Sequence, residues 1–354
     1  MPSDRTYHIR PVLNGQTLAA GLRGLDSDLS WNDARKLVQQ RRIQINGNLV
    51  LDDTRRLKTG DVVKIFEQPR TPPPAERDVP VLHIDQDLIV IDKPAGITTL
   101  RHAEEKEWDD ARKQRQPTLD EVVQRLLPTV WPPKATQPDS NRPQKNTDPP
   151  GVMRRPGGRP VGLPAIGLPK VRAVHRLDRD TSGLMLFALS PRGETALVKL
   201  FKEHSIRRVY RAVVHGLVTQ EQTIESWFVR DRGDGIRGSS PKGQAASDGQ
   251  HAETYVRPIE ALGRYTIVEC RLKTGRTHQI RIHLAEAGHM LCGEKTYLRP
   301  KPEADAVHDK SGAPRQALHS ASLELEHPFS GKTLQFESPM ARDLETWLKK
   351  IRTT

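Results

Sequence analysis

The chain has 354 residues, of which 35% are hydrophobic and 5% aromatic, enough for one large and one smaller domain joined by poorly packed linker. With two cysteines and neither a signal-peptide stretch nor a bilayer-length apolar run, we expect a cytoplasmic protein without a disulfide framework, a cysteine-rich zinc site or a membrane partner. The 56 lysines and arginines outnumber the 44 acidic residues, and this surplus favours an anionic partner such as nucleic acid without identifying it.

Residues 10–68 have the pattern of a small α/β unit. Ser30 suits the start of a helix over Trp31–Gln40, where apolar residues recur at helical spacing. Ile43–Val50 alternates around Asn-Gly, which predicts a hairpin, and Val62–Phe66 is typical of a further strand. Four basic residues gather where the helix ends and the hairpin begins: Arg35, Lys36, Arg41 and Arg42. They are candidates for nucleic-acid contacts, and the alternative is a solvated face that complements the helix dipole.

A proline-rich joint at 69–80 predicts a linker, because proline can continue neither a helix nor a strand ladder. Beyond it, Leu88–Asp92 favours a strand that ends in the turn Lys93–Gly96. Eleven of the 28 prolines fall between Pro128 and Pro169, among more basic than acidic residues. We expect a flexible basic insert at about 128–172.

Charged residues then follow a strand-like stretch. The turn Asp178–Ser182 lies between the alternating residues 170–177 and the apolar residues 183–189, and a loop held by core strands often presents catalytic groups. Ser190 and the proline after it suit a helix start. Arg208–Val214 predicts another strand, with its tyrosine, Tyr210, on the same face as Ala212 and Val214.

The stretch Leu272–Gly288 predicts a helix that Thr277 caps and Gly288 ends. Arg281 falls in its first turn, where a cation is unfavourable unless an anion faces it, so we expect a carboxylate or phosphate partner. A metal site is the rival interpretation of His278 and His283. Their spacing of five places them on separate faces of a helix with no acidic residue between them, so we expect no metal.

Several separated blocks follow one another in the order of a known family. They are IVIDKPAGI at 89–97, HRLDRDTSG at 175–183, RRVYRAVVHG at 207–216, LKTGRTHQIRIHLAEAGH at 272–289 and ALHSASLELEHPFSG at 317–331. From about residue 81 to residue 354, interrupted by the insert, the sequence resembles the RluA-type pseudouridine synthases. The unit at 10–68 resembles an S-four-type RNA-binding domain, which recurs ahead of such catalytic domains.

The resemblance implies an α+β fold for residues 81–354, with a mixed, mainly antiparallel central sheet and flanking helices, beside a small N-terminal α/β RNA-binding domain. It implies an isomerase that converts specific uridines of structured RNA to pseudouridine. No cofactor and no metal are expected, since the reaction involves neither redox chemistry nor group transfer. By family analogy, large-subunit ribosomal RNA is favoured over transfer RNA. We expect a monomer.

Four residues match positions with roles in that family. Asp178 matches the catalytic aspartate, Tyr210 the aromatic residue that stacks on the uracil, and Arg281 the basic residue that pairs with the carboxylate. Arg176 matches the arginine thought to fill the gap that the extruded nucleotide leaves. Asp178 would act as nucleophile on the anomeric carbon or as base at the second sugar position, and the sequence leaves both open.

The chain departs from the family pattern at Arg208, where lysine is usual, at Met290, where proline is common, and at Glu294, where aspartate usually follows glycine. The matching residues disfavour two other functions. A non-catalytic RNA-binding or ribosome-assembly factor is disfavoured by the intact aspartate, tyrosine and arginine. A glycosidase needs a second carboxylate across the scissile bond, where these blocks supply an arginine and a tyrosine.

Overall fold

The computed structural model of the chain describes residues 4–46, 48–70, 72, 74–102, 105–131, 167–231, 237–240, 249–298 and 309–353. The chain divides into two compact units, Met1–Pro74 with Arg101–Thr118 and Ala75–Leu100 with Leu119–Thr354. Most of the predicted insert, residues 132–166, lies outside the described residues. No helix in the described ranges is both long and apolar enough to cross a membrane.

The first unit combines a small antiparallel sheet with helices. Its strands are β1 (Arg5–His8), β2 (Ile43–Ile45), β3 (Asn48–Leu49) and β4 (Val62–Ile65), in the order β1-β4-β2-β3. Its α-helices are α1 (Leu18–Leu25), α2 (Trp31–Gln39) and α3 (Asp110–Arg115). One apolar core joins the buried faces of α1, α2 and the sheet.

Local sequence signals account for the central elements of this unit. The Ser30 hydroxyl accepts a hydrogen bond from the backbone N–H of Asp33 at 3.1 Å and so caps α2. Asn46 has a φ of 50°, the left-handed conformation that the turn between β2 and β3 requires. The predicted helix and hairpin are confirmed.

Residues 101–118 differ from the expected domain boundaries. The expected catalytic domain at 81–354 includes them, whereas the structure groups them with the first unit. Arg112 of α3 lies 3.9 Å from the Asp52 carboxylate and 3.9 Å from the centre of the Trp108 ring. The contact with Asp52 is a tertiary contact, and no local pattern in residues 101–118 indicates it.

The second unit is built on one large sheet. Its strands are β5 (Val81–Ile84), β6 (Leu88–Lys93), β7 (Arg172–Ala173), β8 (Ser182–Ala188), β9 (Arg207–His215), β10 (Gln222–Val229), β11 (Gly238–Ser239), β12 (Gln250–Leu262), β13 (Tyr265–Leu272), β14 (Leu318–Glu326) and β15 (Thr333–Glu337). Its α-helices are α4 (Leu119–Val130), α5 (Pro191–Lys202), α6 (Gln279–Glu286) and α7 (Arg342–Arg352).

The strands of this sheet follow the order β11-β10-β12-β13-β9-β14-β8-β6-β5, with β15 paired to β14 and β7 paired to β8. Among the described strands, β14 and β8 form the one parallel pair. The mixed, mainly antiparallel sheet with flanking helices is therefore confirmed.

Strand β8 is buried along its whole length because both of its faces are covered. Met185 and Phe187 belong to the core that includes α4, while Leu184 and Leu186 pack with Leu197 of α5. A strand that is covered on both faces has apolar residues at consecutive positions, and the sequence of β8 shows this pattern.

The parallel contact of β8 with β14 depends on a glycine. Gly183 has a φ of 109°, and a Cβ added to it would lie 2.2 Å from the carbonyl oxygen of Ser320. Only glycine allows so close an approach of the two backbones. Because Gly183 directly follows the Asp178–Ser182 turn, this close contact places the end of that turn against β14.

Two local expectations are wrong. Residues 170–177 form only the two-residue strand β7. Helix α6 begins after His278, not after Thr277, because His278 itself adopts the left-handed conformation with a φ of 58°. The side chain of Gln279, the first residue of α6, accepts a hydrogen bond from the backbone N–H of Arg276 at 2.9 Å. The segment that leads into α6 is therefore fixed by a residue of the helix itself.

Candidate active site

One cleft of about 540 Å³ in the second unit gathers the matched residues. The segment before β8 contributes Arg176 and Asp178, β9 contributes Tyr210, and α6 contributes Arg281. Further cations line the cleft, namely Lys202, Arg208 and Arg276. Asp178 is the one carboxylate among the described residues that line it, so the cleft suits a polyanionic ligand.

Buried cations hold the turn after Asp178 by its backbone. The Lys93 ammonium donates to the first and third carbonyls of residues 179–181, at 3.0 and 2.7 Å. The Arg315 guanidinium donates to the second at 2.9 Å. Lys93 is fully buried, and this desolvation lowers its pKa to about 7. Three successive carbonyls are thus fixed by two side chains from distant segments.

Two further contacts stabilise the same turn. Asp343, at the start of α7, accepts two hydrogen bonds from Arg315 at 2.7 and 2.9 Å, which orients the guanidinium. The Thr99 hydroxyl donates to the carbonyl oxygen of Leu177 at 2.8 Å and accepts from its N–H at 3.2 Å. The backbone on both sides of Asp178 is therefore held by side chains.

Arg281 bridges two carboxylates. Its Nη1 donates to Asp178 Oδ2 at 3.2 Å, while its Nε and Nη2 donate to the two carboxylate oxygens of Glu294 at 2.9 and 2.7 Å. Burial lowers the pKa of Arg281, but the hydrogen bonds and charges of Glu294 and Asp178 outweigh it and leave the pKa above its usual range. The expected anionic partner of Arg281 is present, together with a second carboxylate.

Glu294 is the buried anchor of this arrangement. Only 2% of its surface is exposed, and one of its oxygens also accepts hydrogen bonds from the backbone N–H groups of residues 295 and 296, each at 2.9 Å. Burial alone would raise the pKa of Glu294, but the Arg281 guanidinium and these N–H groups have the larger, opposite effect. The net pKa is below its usual value, so Glu294 is ionised at neutral pH. Glu294 stands where aspartate is usual in the family, and both residues carry a carboxylate.

His278 and Tyr297 lie on the other side of Asp178. The Nε2 of His278 is 3.7 Å from Asp178 Oδ1, and its Nδ1 is 2.7 Å from the Tyr297 hydroxyl. The Arg281 guanidinium in turn lies 5.0 Å from the centre of the Tyr297 ring. Asp178, Arg281, Tyr297 and His278 thus form a closed ring of contacts. His283, by contrast, bonds to the hydroxyls of other residues on neighbouring strands.

An aromatic wall completes the cleft. Tyr210 is 4% exposed, and desolvation raises its pKa, so it is a neutral phenol. The ring of His175 stacks on that of Phe201, with centroids 4.6 Å apart. Flat apolar faces of this kind suit a planar base.

The four basic residues proposed for the first unit are not equally available. Arg35 and Lys36 are exposed on α2, and Arg35 pairs with Asp53 at 3.2 Å. Arg41 and Arg42 are half-buried, and the Nε of Arg42 donates to a backbone carbonyl oxygen at 2.8 Å. The structure therefore presents two of the four as exposed cations.

Four residues support the site without having been predicted to do so from the sequence: Lys93, Glu294, Tyr297 and Arg315. A weak signal existed for Lys93, since it is the last residue of a buried, mostly apolar strand, where a cation requires acceptors. The other three are recognisable only through their tertiary partners.

The fold is similar to that of a protein of known structure. A solved structure of human RNA pseudouridylate synthase domain containing 4 matches with a TM-score of 0.53 at 17% identity, covering 77% of this chain and 92% of that one. The second unit thus has the pseudouridine synthase fold. The model of the RNA pseudouridylate synthase family matches residues 165–286, which include Arg176, Asp178, Tyr210 and Arg281.

Curated relatives carry the assignment further. The ribosomal large subunit pseudouridine synthase D of Xanthomonas campestris is 32% identical over 285 residues, 78% of this chain and 71% of that protein. The chain belongs to the pseudouridine synthase family. The protein of the same name from Neisseria meningitidis is 39% identical over 188 residues, 52% of this chain. The match spans about half of that relative, 49% of its length.

Proposed function

We propose that the protein is an RNA isomerase that converts specific uridines of large-subunit ribosomal RNA to pseudouridine. The observation that carries the proposal is the Asp178 carboxylate, held 3.2 Å from Arg281 in a cleft whose other charged lining residues are cations. The substrate class follows the names of the relatives. The intact set of Asp178, Tyr210 and Arg281 argues against a purely RNA-binding role.

The reaction detaches uracil from C1′ of the ribose and rejoins it through C5. Asp178 is the group that reacts with the sugar, as nucleophile at C1′ or as base at C2′. Arg281 donates a hydrogen bond to the carboxylate and orients it, and Glu294 holds Arg281 through two hydrogen bonds. The turn carbonyls bound by Lys93 and Arg315 fix the backbone, so little reorganisation is needed when substrate binds.

The target nucleotide must leave its stack to reach Asp178. Unstacking costs a few kcal/mol, and Arg176, exposed at the cleft, would occupy the vacated space. Tyr210 offers a neutral aromatic face on which the detached uracil can turn. The cations Lys202, Arg208 and Arg276 would contact the flanking phosphates.

We also propose that the first unit contributes RNA affinity through Arg35 and Lys36, consistent with its resemblance to an S-four-type domain. Arg41 and Arg42 would serve mainly to hold the end of α2. The protein would act in the cytoplasm as a monomer.

A substitution at Asp178 tests the proposal. Asp178→Asn removes the reacting group but little of the positive surface, so pseudouridine formation on ribosomal RNA should be lost while RNA binding persists. Glu337→Gln, at an exposed position of β15, is the matched control and should keep full activity. Activity retained by Asp178→Asn would reject the assignment of Asp178. Absence of product with the unaltered protein on all ribosomal and transfer RNA would reject the function.

A further inference from the structure

Three side chains of different chemistry come together outside the Asp178 cleft. They are His215 at the end of β9, Cys292 in the segment after α6, and Asp309. One ligand atom of each, a ring nitrogen, the sulfur and a carboxylate oxygen, lies within 4.8 Å of the other two. None of the three is among the described residues that line the cleft, so the proposed reaction does not use them.

The backbone holds two of these residues side by side. The N–H of His215 donates to the carbonyl oxygen of Met290 at 2.9 Å, and the N–H of Cys292 donates to that of Val213 at 2.9 Å. These bonds form a short antiparallel bridge between β9 and the segment after α6. The carbonyl oxygen of Cys292 also accepts the N–H of Ala317 at 2.8 Å. The position of the thiol is therefore fixed from both sides.

Neighbouring groups orient the imidazole and the carboxylate. The Nε2 of His215 lies 2.7 Å from Asp309 Oδ1, and the His215 ring meets Tyr265 edge-on with centroids 5.2 Å apart. The same carboxylate oxygen accepts the N–H of Ser311 at 3.2 Å. Supporting contacts of this kind reduce the reorganisation that a bound ion requires.

The three donors are a set that Zn²⁺ binds. Tetrahedral Zn²⁺ holds sulfur, nitrogen and oxygen ligands at about 2.0–2.3 Å, which places these atoms about 3.3–3.6 Å from one another. The separations here, from 2.7 Å between His215 and Asp309 up to 4.8 Å, differ from those values by at most about 1.2 Å. A thiolate beside an imidazole also favours Zn²⁺ over Mg²⁺ and Ca²⁺.

The cluster is open to solvent on one side. Cys292 is fully buried, whereas the side chains of His215 and Asp309 are 23% and 14% exposed. An ion can thus approach the sulfur past these two side chains, and water can take the fourth coordination position. Coordination of the sulfur releases the thiol proton to solvent.

A second group of three possible ligands occurs in the part of the chain that the structure describes. It consists of Glu225, His251 and Glu253, and it contains no sulfur ligand. The ammonium of Lys273 lies 2.9 Å from a Glu253 carboxylate oxygen, and the Glu225 side chain is 63% exposed. Because a cation already pairs with this second group, it is the weaker candidate.

We propose that His215, Cys292 and Asp309 form a Zn²⁺ site that ties the end of β9 to the segment before Glu294. Cys292 stands two residues before Glu294, the carboxylate that anchors Arg281. The ion stabilises the fold beside the active site and takes no part in the isomerisation. The inference is independent of the proposed function, because its test requires no RNA.

Cobalt(II) is the probe, because its absorption spectrum reports the ligands of the ion. The full-length protein, freed of metal with EDTA, should bind one equivalent of Co²⁺ with the strong visible bands of tetrahedral geometry and the near-ultraviolet band of a cobalt–thiolate bond. Zn²⁺ should displace it. Cys292→Ser should abolish the thiolate band, and Cys270→Ser, at the other fully buried cysteine, should retain it.

Two variants test the site without changing either cysteine. His215→Gln and Asp309→Asn should each weaken Co²⁺ binding by more than about tenfold, and they decide the question if Cys292→Ser does not fold. For the unaltered protein, free Zn²⁺ at about a hundred times its Kd should raise the melting temperature by roughly 5–10 °C. This rise should be absent in both variants at the same concentration.

Three results would overturn the site and leave the proposed function in place. They are failure of the unaltered protein to bind Co²⁺, bound Co²⁺ without a thiolate band, and binding that survives in His215→Gln and Asp309→Asn. Loss of binding in Glu253→Gln, with no loss in those two variants, would assign the ion to the second group.

Discussion

Replacing Lys93 with methionine tests how the Asp178 turn is held. Its ammonium is fully buried and donates to the carbonyl oxygens of Pro94, Arg179 and Thr181 at 3.1, 3.0 and 2.7 Å. Methionine has a similar length and no donor, so it leaves these acceptors without the ammonium. Pseudouridine formation should fall at least tenfold, because Asp178 precedes two of these carbonyls on the same turn.

The same substitution has a pH signature. Desolvation lowers the pKa of Lys93 from 10.5 to about 7, reinforced by Arg315 and Arg179 and opposed by Asp180 and Asp178. Between these two pH values the unfolded chain binds more protons at this lysine than the folded protein does. The contribution of Lys93 to the free energy of unfolding therefore rises with pH, is complete above about pH 10.5, and is lost as the pH falls to about 7.

The magnitude follows from the two pKa values. A change from 10.5 to about 7 corresponds to about 5 kcal/mol over the whole range at 1.36 kcal/mol per unit. Between pH 7 and pH 9, the free energy of unfolding of the unaltered protein should gain about 2 kcal/mol relative to Lys93→Met. The comparison between variants removes the titration of groups common to both.

Urea unfolding followed by tryptophan fluorescence at pH 7, 8 and 9 measures this difference. Lys332→Met, at an exposed position, is the control and should differ from the unaltered protein by a constant amount. A difference between the unaltered protein and Lys93→Met that stays constant within about 0.5 kcal/mol across this range would refute the buried, proton-releasing lysine. Full activity of Lys93→Met would refute its role in holding the turn.

Two further outcomes are expected. Glu294→Gln leaves the buried Arg281 without its main counter-charge, so the free energy of unfolding should fall by about 3–5 kcal/mol and kcat should fall with it; an unchanged melting temperature would contradict the anchoring role. The double substitution Arg35→Ala with Lys36→Ala removes two cations from α2 and should leave kcat nearly unchanged. In RNA-binding titrations, the slope of log affinity against log salt concentration should become smaller in magnitude by roughly 1.4–1.8. An unchanged slope would show that α2 contacts no phosphate.

Elements with a strong local signal followed from the sequence. Helix α2 begins after Ser30, the β2–β3 turn lies at Asn46, and α5 begins after Ser190, whose hydroxyl accepts the N–H of Gly193. Each of the two helix caps joins residues three positions apart, and the turn needs only a residue that tolerates the left-handed conformation, so side-chain chemistry at a few neighbouring positions is sufficient. The apolar run that forms β8 is equally local.

Part of the site could also be anticipated. A cation in the first turn of α6 requires an anion, and Arg281 has one in Asp178, 103 positions away. The position of Arg281 at the positive end of the helix dipole indicates that an anion is needed but not which residue supplies it. Only the match of separated blocks to a family connected Asp178, Tyr210 and Arg281 before the structure brought them to one cleft.

Tertiary structure alone decided how these groups are supported. Lys93 and Arg315 bind the carbonyls that follow Asp178, and Glu294 anchors Arg281. Helix α6 begins after His278, whose backbone is left-handed and whose ring contacts Tyr297, 19 positions further along the chain. Hydrophobic periodicity and helix capping depend on interactions between residues that are close in sequence. The partners of a buried ion are instead the residues that lie near it in the folded chain. They become neighbours only when the sheet has assembled.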